Sequence, residues 1–148
     1  MDKESIVVDV NLFLASFFFG SKIGDNILNS IRQQIFALLS CDEFRSELQT
    51  KIYHFKNKVS ETEFFEIQEW FDFLSEISQN IVIKSKLKIC RDPNDDYLIN
   101  LALDGNAKYL ITRDKDLLEV EYSLIKDIVV TPEKFMNTSR ELINSGIN

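Results

Sequence analysis

Five acidic positions stand where carboxylates could act together: Asp9, Glu47, Asp96, Asp114 and Asp116. Gathered carboxylates repel one another and become tolerable when a divalent cation sits among them. An all-oxygen donor set suits Mg²⁺ or Mn²⁺, hard cations that keep several waters. Asp9 is the hardest of the five to explain otherwise. It directly follows Ile6-Val7-Val8, a β-branched apolar run that reads as a strand buried on both faces. An acid at the edge of a core, with no partner except the helix it precedes, points to a site. Arg91, Arg113 and Lys115 flank the acids and could hold a phosphate or a phosphodiester backbone.

Glu47, Asp96 and Asp116, like the neighbouring Asp92 and Asp95, also have a plain structural explanation. Asp92 before Pro93 suits a helix cap. Asp95 and Asp96 suit the positive end of the helix that follows. Asp116 could cap a short turn, and Glu47 could be a solvated helix acid. Competing chemistry is sparse. His54 is the only histidine, which leaves no multi-histidine metal cluster and no clear histidine base. We read it as a surface or packing residue. No Walker loop, GxGxxG or GxSxG occurs. Trp70, Phe71 and Phe73 share one long helix and read as core or interface.

The elements that must position these acids alternate. Strand Ser5–Val8 leads into a helix over 12–19 ended by Gly20, and a second helix over 25–34 follows an Asp cap. The run 35–39 reads as the second strand. Ser40, with Glu43 completing a capping box, opens a helix to about Phe55 that carries Glu47. Ser60 and Glu63 open another to about Ser78. Ile81-Val82-Ile83 reads as the third strand, followed by the basic connector KSKLKI (84–89). A helix runs from Asp92-Pro93 to Gly105, Tyr109–Thr112 is the fourth strand, and Leu117-Leu118 begins a helical turn. Ile128-Val129-Val130 is the fifth strand, and Thr131-Pro132-Glu133 caps a last helix expected to fray from Asn137. Such alternation predicts an α/β fold: a three-layer α/β/α sandwich with a mainly parallel central sheet of about five strands. In an open parallel sheet, residues past the carboxyl ends of strands line the ligand crevice, where Asp9 and Asp114 would sit.

Length and composition bound the rest. A chain of 148 residues fits one domain, which we place at 1–137 with a polar tail over 138–148. The two cysteines, Cys41 and Cys90, form no CxxC pair, which argues against a zinc site or disulfide framework and suits a reducing cytoplasm. Neither a signal peptide nor a membrane span is expected. The formal charge of −7 counts against affinity built on phosphate neutralisation, but not against a metal site.

The ordered set Ile6 to Asn11, Ser40 with Glu43 to Leu48, RDPNDDYLINLAL from Arg91, YLITRDKDLL from Tyr109, and Val130 to Phe135 resembles the PIN-domain family. It is most similar to the branch that serves as toxins of bacterial toxin-antitoxin systems. The resemblance implies a cytoplasmic metal-dependent endoribonuclease that leaves 5′-phosphate and 3′-hydroxyl ends, with a protein antitoxin as partner and a homodimer as the assembly. It also implies an acidic quartet, Asp9, Glu47, Asp96 and Asp114, with Asp116 as an auxiliary acid, holding Mg²⁺ or Mn²⁺. Asn11 and Thr112 match supporting positions, and Val10 stands where a threonine is common. Two other readings stay open: a non-catalytic module whose acidic crevice receives a basic segment of a partner, and a Mg²⁺-dependent phosphatase or phosphotransfer domain acting through Asp9.

Overall fold

The structure is a computed structural model that describes residues 3–147. Along the chain lie β1 (Glu4–Val8), α1 (Val10–Phe19), α2 (Lys22–Arg32), β2 (Phe36–Ser40), α3 (Asp42–His54) and α4 (Glu61–Ile77). There follow β3 (Gln79–Asn80), α5 (Asp96–Asp104), β4 (Tyr109–Ile111), α6 (Lys115–Leu118), β5 (Val129–Val130), α7 (Pro132–Thr138) and α8 (Arg140–Ile147). All strand pairs are parallel, in the order β3-β2-β1-β4-β5. Consecutive residues Ile6, Val7 and Val8 are wholly buried, so both faces of the central strand are covered. On one face α2 and α7 pack together and against β2 and β4, while α5 lies across β1, β2 and β4. This is the layered α/β fold expected of the alternating pattern. No helix among the described residues is long and apolar enough to cross a membrane.

Several boundaries differ from the sequence reading, each for a local reason. The second helix starts at Lys22, capped by Ser21, whose hydroxyl accepts the Gly24 N–H at 3.0 Å; Asp25 is a first-turn residue, not the cap. Gly24 is required there, since a Cβ would stand 2.9 Å from the Leu12 carbonyl oxygen of α1. Gly20 ends α1 in the left-handed region at φ 65°. Ser40 does not cap α3: it is still paired in β2, and Cys41 occupies the cap position with no side-chain bond. The Ser60–Glu63 capping box does form, with Glu63 N–H donating to Ser60 Oγ at 3.1 Å.

The third strand is Gln79–Asn80, not Ile81–Ile83. It pairs only with Leu39 and Ser40, because β2 ends there and leaves no further backbone to template. Ile81 still donates to the Ser40 carbonyl at 2.8 Å, but Val82 is 74% exposed. Beyond it the connector alternates between half-buried and exposed residues in strand fashion, yet its amides are claimed by side chains of α5. Asp104 accepts from the Lys84 and Ser85 amides, Asn100 from Leu87, and Asp96 from Ile89 and Cys90. At the other end of the chain, the helix from Pro132 does not fray at Asn137. It runs to Thr138, and α8 continues over Arg140–Ile147, anchored by buried Ile143.

Candidate metal centre

The winding of the sheet reverses between β1 and β4: the chain passes from β1 to β2 and β3 on one side, then returns to β4 and β5 on the other. Such a switch point opens a crevice beyond the carboxyl ends of the strands. Val8 and Ile111 are register partners there, so Asp9 and the Thr112-Arg113-Asp114 turn emerge side by side.

Asp9 caps α1 and is 6% exposed. Its Oδ1 accepts the Asn11 N–H at 3.0 Å, and its Oδ2 accepts the Thr112 hydroxyl at 2.8 Å. Thr112 Oγ1 in turn accepts the Asp114 N–H at 3.0 Å, so one buried hydroxyl ties the first acid to the fourth. Asn11 supports Asp9 through its backbone, while its own side chain is exposed. Burial pushes the Asp9 carboxyl up; the Asn11 amide and the Thr112 hydroxyl oppose this, and the Glu47 charge adds to it.

Glu47 reaches this crevice from α3 and is fixed at both oxygens. The Tyr97 hydroxyl donates to Oε1, and Lys51 Nζ lies 2.8 Å from Oε2. Burial and the neighbouring Glu47 carboxylate push the Tyr97 phenol well above its usual range, so it remains a donor. Asp114 caps α6 and accepts the Asp116 N–H at 2.9 Å.

Asp95, the neighbour of the expected third acid Asp96, joins the cluster. Asp95, Asp114 and Asp116 bring carboxylate oxygens within 4.8 Å of one another. Asp95, half-buried, is pushed up to about 7 by burial, by its hydrogen bond to and charge from Asp114, and by the charges of Asp92 and Asp9. Asp96 instead turns Oδ1 to the connector, accepting from the Ile89 and Cys90 amides at 3.1 and 2.9 Å. The cause is a single 3-10 turn, Pro93–Asp95, capped by Asp92, which accepts the Asn94 N–H at 3.0 Å. This tighter turn ahead of α5 sets Asp95 beside Asp114 and Asp116. Sequence reasoning placed Asp92 as the cap of one continuous helix and missed this step. Tyr97 was also missed; no sequence signal marks its reach to Glu47.

The basic residues separate. Arg113 is held by Glu133, with Nη1 2.9 Å from Oε1 and a second contact between Nη2 and Oε2. Lys115 is exposed and has no ion pair among the described residues. Arg91 lies between Asp116, at 3.4 Å, and Glu119, at 2.8 Å. His54 is exposed at the end of α3, against the Phe55 ring. Cys90 borders the acids, and burial together with Asp96 pushes its thiol up to about 12.

The chemistry of the donor set fits a hard divalent cation. Oxygen donors dominate, and the acids destabilise one another's charge, pushing the Asp95 carboxyl up to about 7. Comparison with known proteins gives the family and the fold. The PIN domain family model matches residues 5–116. The uncharacterized protein MJ1680 of Methanocaldococcus jannaschii is 26% identical over 149 residues, covering 96% of each chain. Among solved structures, PAE2754 from Pyrobaculum aerophilum superposes with a TM-score of 0.59 at 12% identity, over 94% of this chain and 90% of that one. VapBC2 from Rickettsia felis, solved bound to a DNA fragment of its promoter, gives 0.57 at 15% identity, over 86% of this chain and 98% of that one.

Proposed function

The chain belongs to the PIN-domain family, and from that premise we propose that it is a Mg²⁺- or Mn²⁺-dependent endoribonuclease, the toxin of a toxin-antitoxin pair. The observation that carries the reading is the convergence of Asp95, Asp114 and Asp116 oxygens within 4.8 Å beside buried Asp9. Asp9, Asp95, Asp114 and Asp116 hold the cation, and Glu47 completes the acidic set; Asp96 braces the connector. A bound divalent ion supplies Lewis acidity for activating water and neutralising phosphate charge.

This chain's own residues do the positioning. Thr112 fixes Asp9 and the Asp114 backbone in one arrangement through its hydroxyl and oxygen. Tyr97 and Lys51 hold Glu47 in a single orientation, so it can accept a proton from an attacking water without first reorganising. Lys115 is free to meet a non-bridging phosphate oxygen, whereas Arg113 must first leave Glu133. Hydrolysis is in-line: water's oxygen forms the new bond to phosphorus as Glu47 takes one of its protons, the P–O3′ bond breaks, and the departing 3′ oxygen takes a proton from solvent water.

The setting inside the cell follows from the same reading: a cytoplasmic protein restrained by a cognate antitoxin, and a homodimer. The crevice can also receive a partner's guanidinium, since Arg91 already occupies its rim on Asp116. The test is Mn²⁺-dependent cleavage of single-stranded and looped RNA by the purified chain beside Asp9→Asn. Cutting by the parent alone, abolished by EDTA, supports the nuclease. Equal cutting by both proteins, or none on any RNA, rejects it.

A further inference from the structure

The connector between β3 and α5 presents a row of cations that the acidic centre does not use. Lys84, Lys86 and Lys88 alternate with half-buried Ser85 and Leu87, and all three lysines are exposed. None has an ion-pair partner among the described residues. Lys84 does lie near the Asp104 carboxylate, which its charge helps hold below the usual range. The backbone beneath the row is fixed. Asp104, Asn100 and Asp96, one helical turn apart on α5, take the amides of Lys84 and Ser85, of Leu87, and of Ile89 and Cys90. From Asp104 to Asp96 the helix rises about 12 Å. From Lys84 to Lys88 an extended chain covers about 13 Å, with alternate side chains about 6.6 Å apart. Because the clasped amides run from Lys84 to Cys90 as the acceptors run from Asp104 to Asp96, the lysines lie alongside α5, from its last turn towards its first.

The row ends at the acids. Lys88, Arg91 and Asp116 line one cleft of about 370 Å³, which joins the last lysine to the metal-type cluster. Arg91 offsets Asp116 and Glu119 on that wall, at 3.4 and 2.8 Å. In a chain of net charge −7, a cationic strip this regular, leading to this place, calls for an anionic polymer.

We propose that Lys84, Lys86 and Lys88 form a track for the sugar-phosphate backbone of single-stranded RNA, guiding the strand along α5 into the acidic centre. The track rests on the nuclease reading for the identity of its cargo. It also accounts for how a protein of pI near 4.8 engages RNA: the cations are concentrated on one rigid strip.

The experiment measures binding of a fluorescein-labelled single-stranded oligouridylate to the full chain by anisotropy across a salt series, with Ca²⁺ present. The same samples are run on a gel, with Mn²⁺ added in parallel. The triple substitution Lys84→Gln, Lys86→Gln, Lys88→Gln should weaken binding at least tenfold at low salt. It should also lower the log–log salt slope by about 2, since each single-strand phosphate contact contributes about 0.7. A control triple, Lys22→Gln, Lys108→Gln, Lys126→Gln, makes the same change in net charge and should keep the parent slope. Should the first triple melt early, Lys86→Gln alone should carry about a third of the slope change. Equal affinity and slope in both triples overturns the track, as does a parent that binds no RNA. So does a lysine-dependent affinity for poly-glutamate with RNA binding unchanged, which would reassign the strip to an acidic protein. Lysine-dependent binding without any Mn²⁺ cleavage overturns the nuclease and leaves the track. Cleavage with an unchanged KM in the first triple does the reverse.

Discussion

Exchanging the adjacent acids Asp95 and Asp96 for asparagine separates the two roles that the structure gives them. Asp96→Asn keeps an acceptor oxygen for the Ile89 and Cys90 amides but removes its charge. Bonds to a charged acceptor are worth about 1.5–3 kcal/mol and neutral ones roughly half that, so two partly exposed bonds should lose about 1–2 kcal/mol together. For a domain of this size that lowers Tm by roughly 2–8 °C. Cation affinity should stay within about threefold of the parent. Asp95→Asn breaks no backbone clasp and relieves repulsion from Asp114 and Asp92, so metal-free Tm should hold or rise. Saturating Mn²⁺ at about a hundredfold over Kd should stabilise the parent by about 2.7 kcal/mol, roughly 5–10 °C, and this gain should vanish in Asp95→Asn. Calorimetric titration and melts with and without Mn²⁺ read both effects. The opposite pattern, with Mn²⁺ stabilisation lost in Asp96→Asn and kept in Asp95→Asn, refutes the assignment of Asp95 to the centre.

Other outcomes follow from the same contacts. Thr112→Val removes a donor to Asp9 and an acceptor for the Asp114 amide; it should cost about 1–3 kcal/mol in a chemical melt and lower Mn²⁺-dependent cleavage at least tenfold. Gly24→Ala places a methyl 2.9 Å from the Leu12 carbonyl and should destabilise by about 1–3 kcal/mol, read as a lower urea midpoint with an unchanged m-value. Cys90, its thiol held near 12, should alkylate with iodoacetamide at pH 8 at least about a hundredfold more slowly than free cysteine; a rate equal to that of free cysteine contradicts the acidic surroundings drawn for it. Burial raises the Asp104 carboxyl but its bonds to Ser85 and Lys84 outweigh this, leaving it below the usual range. A depressed folded value means stability that is present above the unfolded value of 3.8 and lost as pH falls through the lower folded one. Exchange protection of the Lys84 and Ser85 amides should therefore persist to below pH 3.8 and then collapse.

The strand pattern carried most of the fold, because apolar β-branched runs such as Ile6-Val7-Val8 have one stable destination in a chain of alternating helices. It misled at Ile81–Ile83, where an equally apolar run found no paired neighbour past Ser40. The same logic separates the acids. Asp9 and Asp114 follow strands, and strand ends fix position to within a residue. Asp95 and Asp96 follow a proline turn whose 3-10 winding shifts the helix phase by a few tens of degrees, so no local pattern divides the two acids between crevice and connector. Tyr97 meets Glu47 across 50 positions of chain, a contact made by tertiary packing that no local pattern encodes.

The clasp on α5 amounts to a vernier: two scales of different pitch laid side by side and brought into coincidence at three marks. Helix residues four apart advance about 6 Å, while an extended chain covers that distance in about two residues. Asp96, Asn100 and Asp104 therefore read the connector at intervals that a backbone ladder would fill with main-chain carbonyls. A ladder accepts almost any sequence; this scale accepts only short acceptor side chains at fixed steps. Inserting one residue in the connector would put every mark beyond the insertion out of step. Losing one acid would release one stretch while the other two held, so the strip can vary segment by segment without disturbing the sheet beneath it.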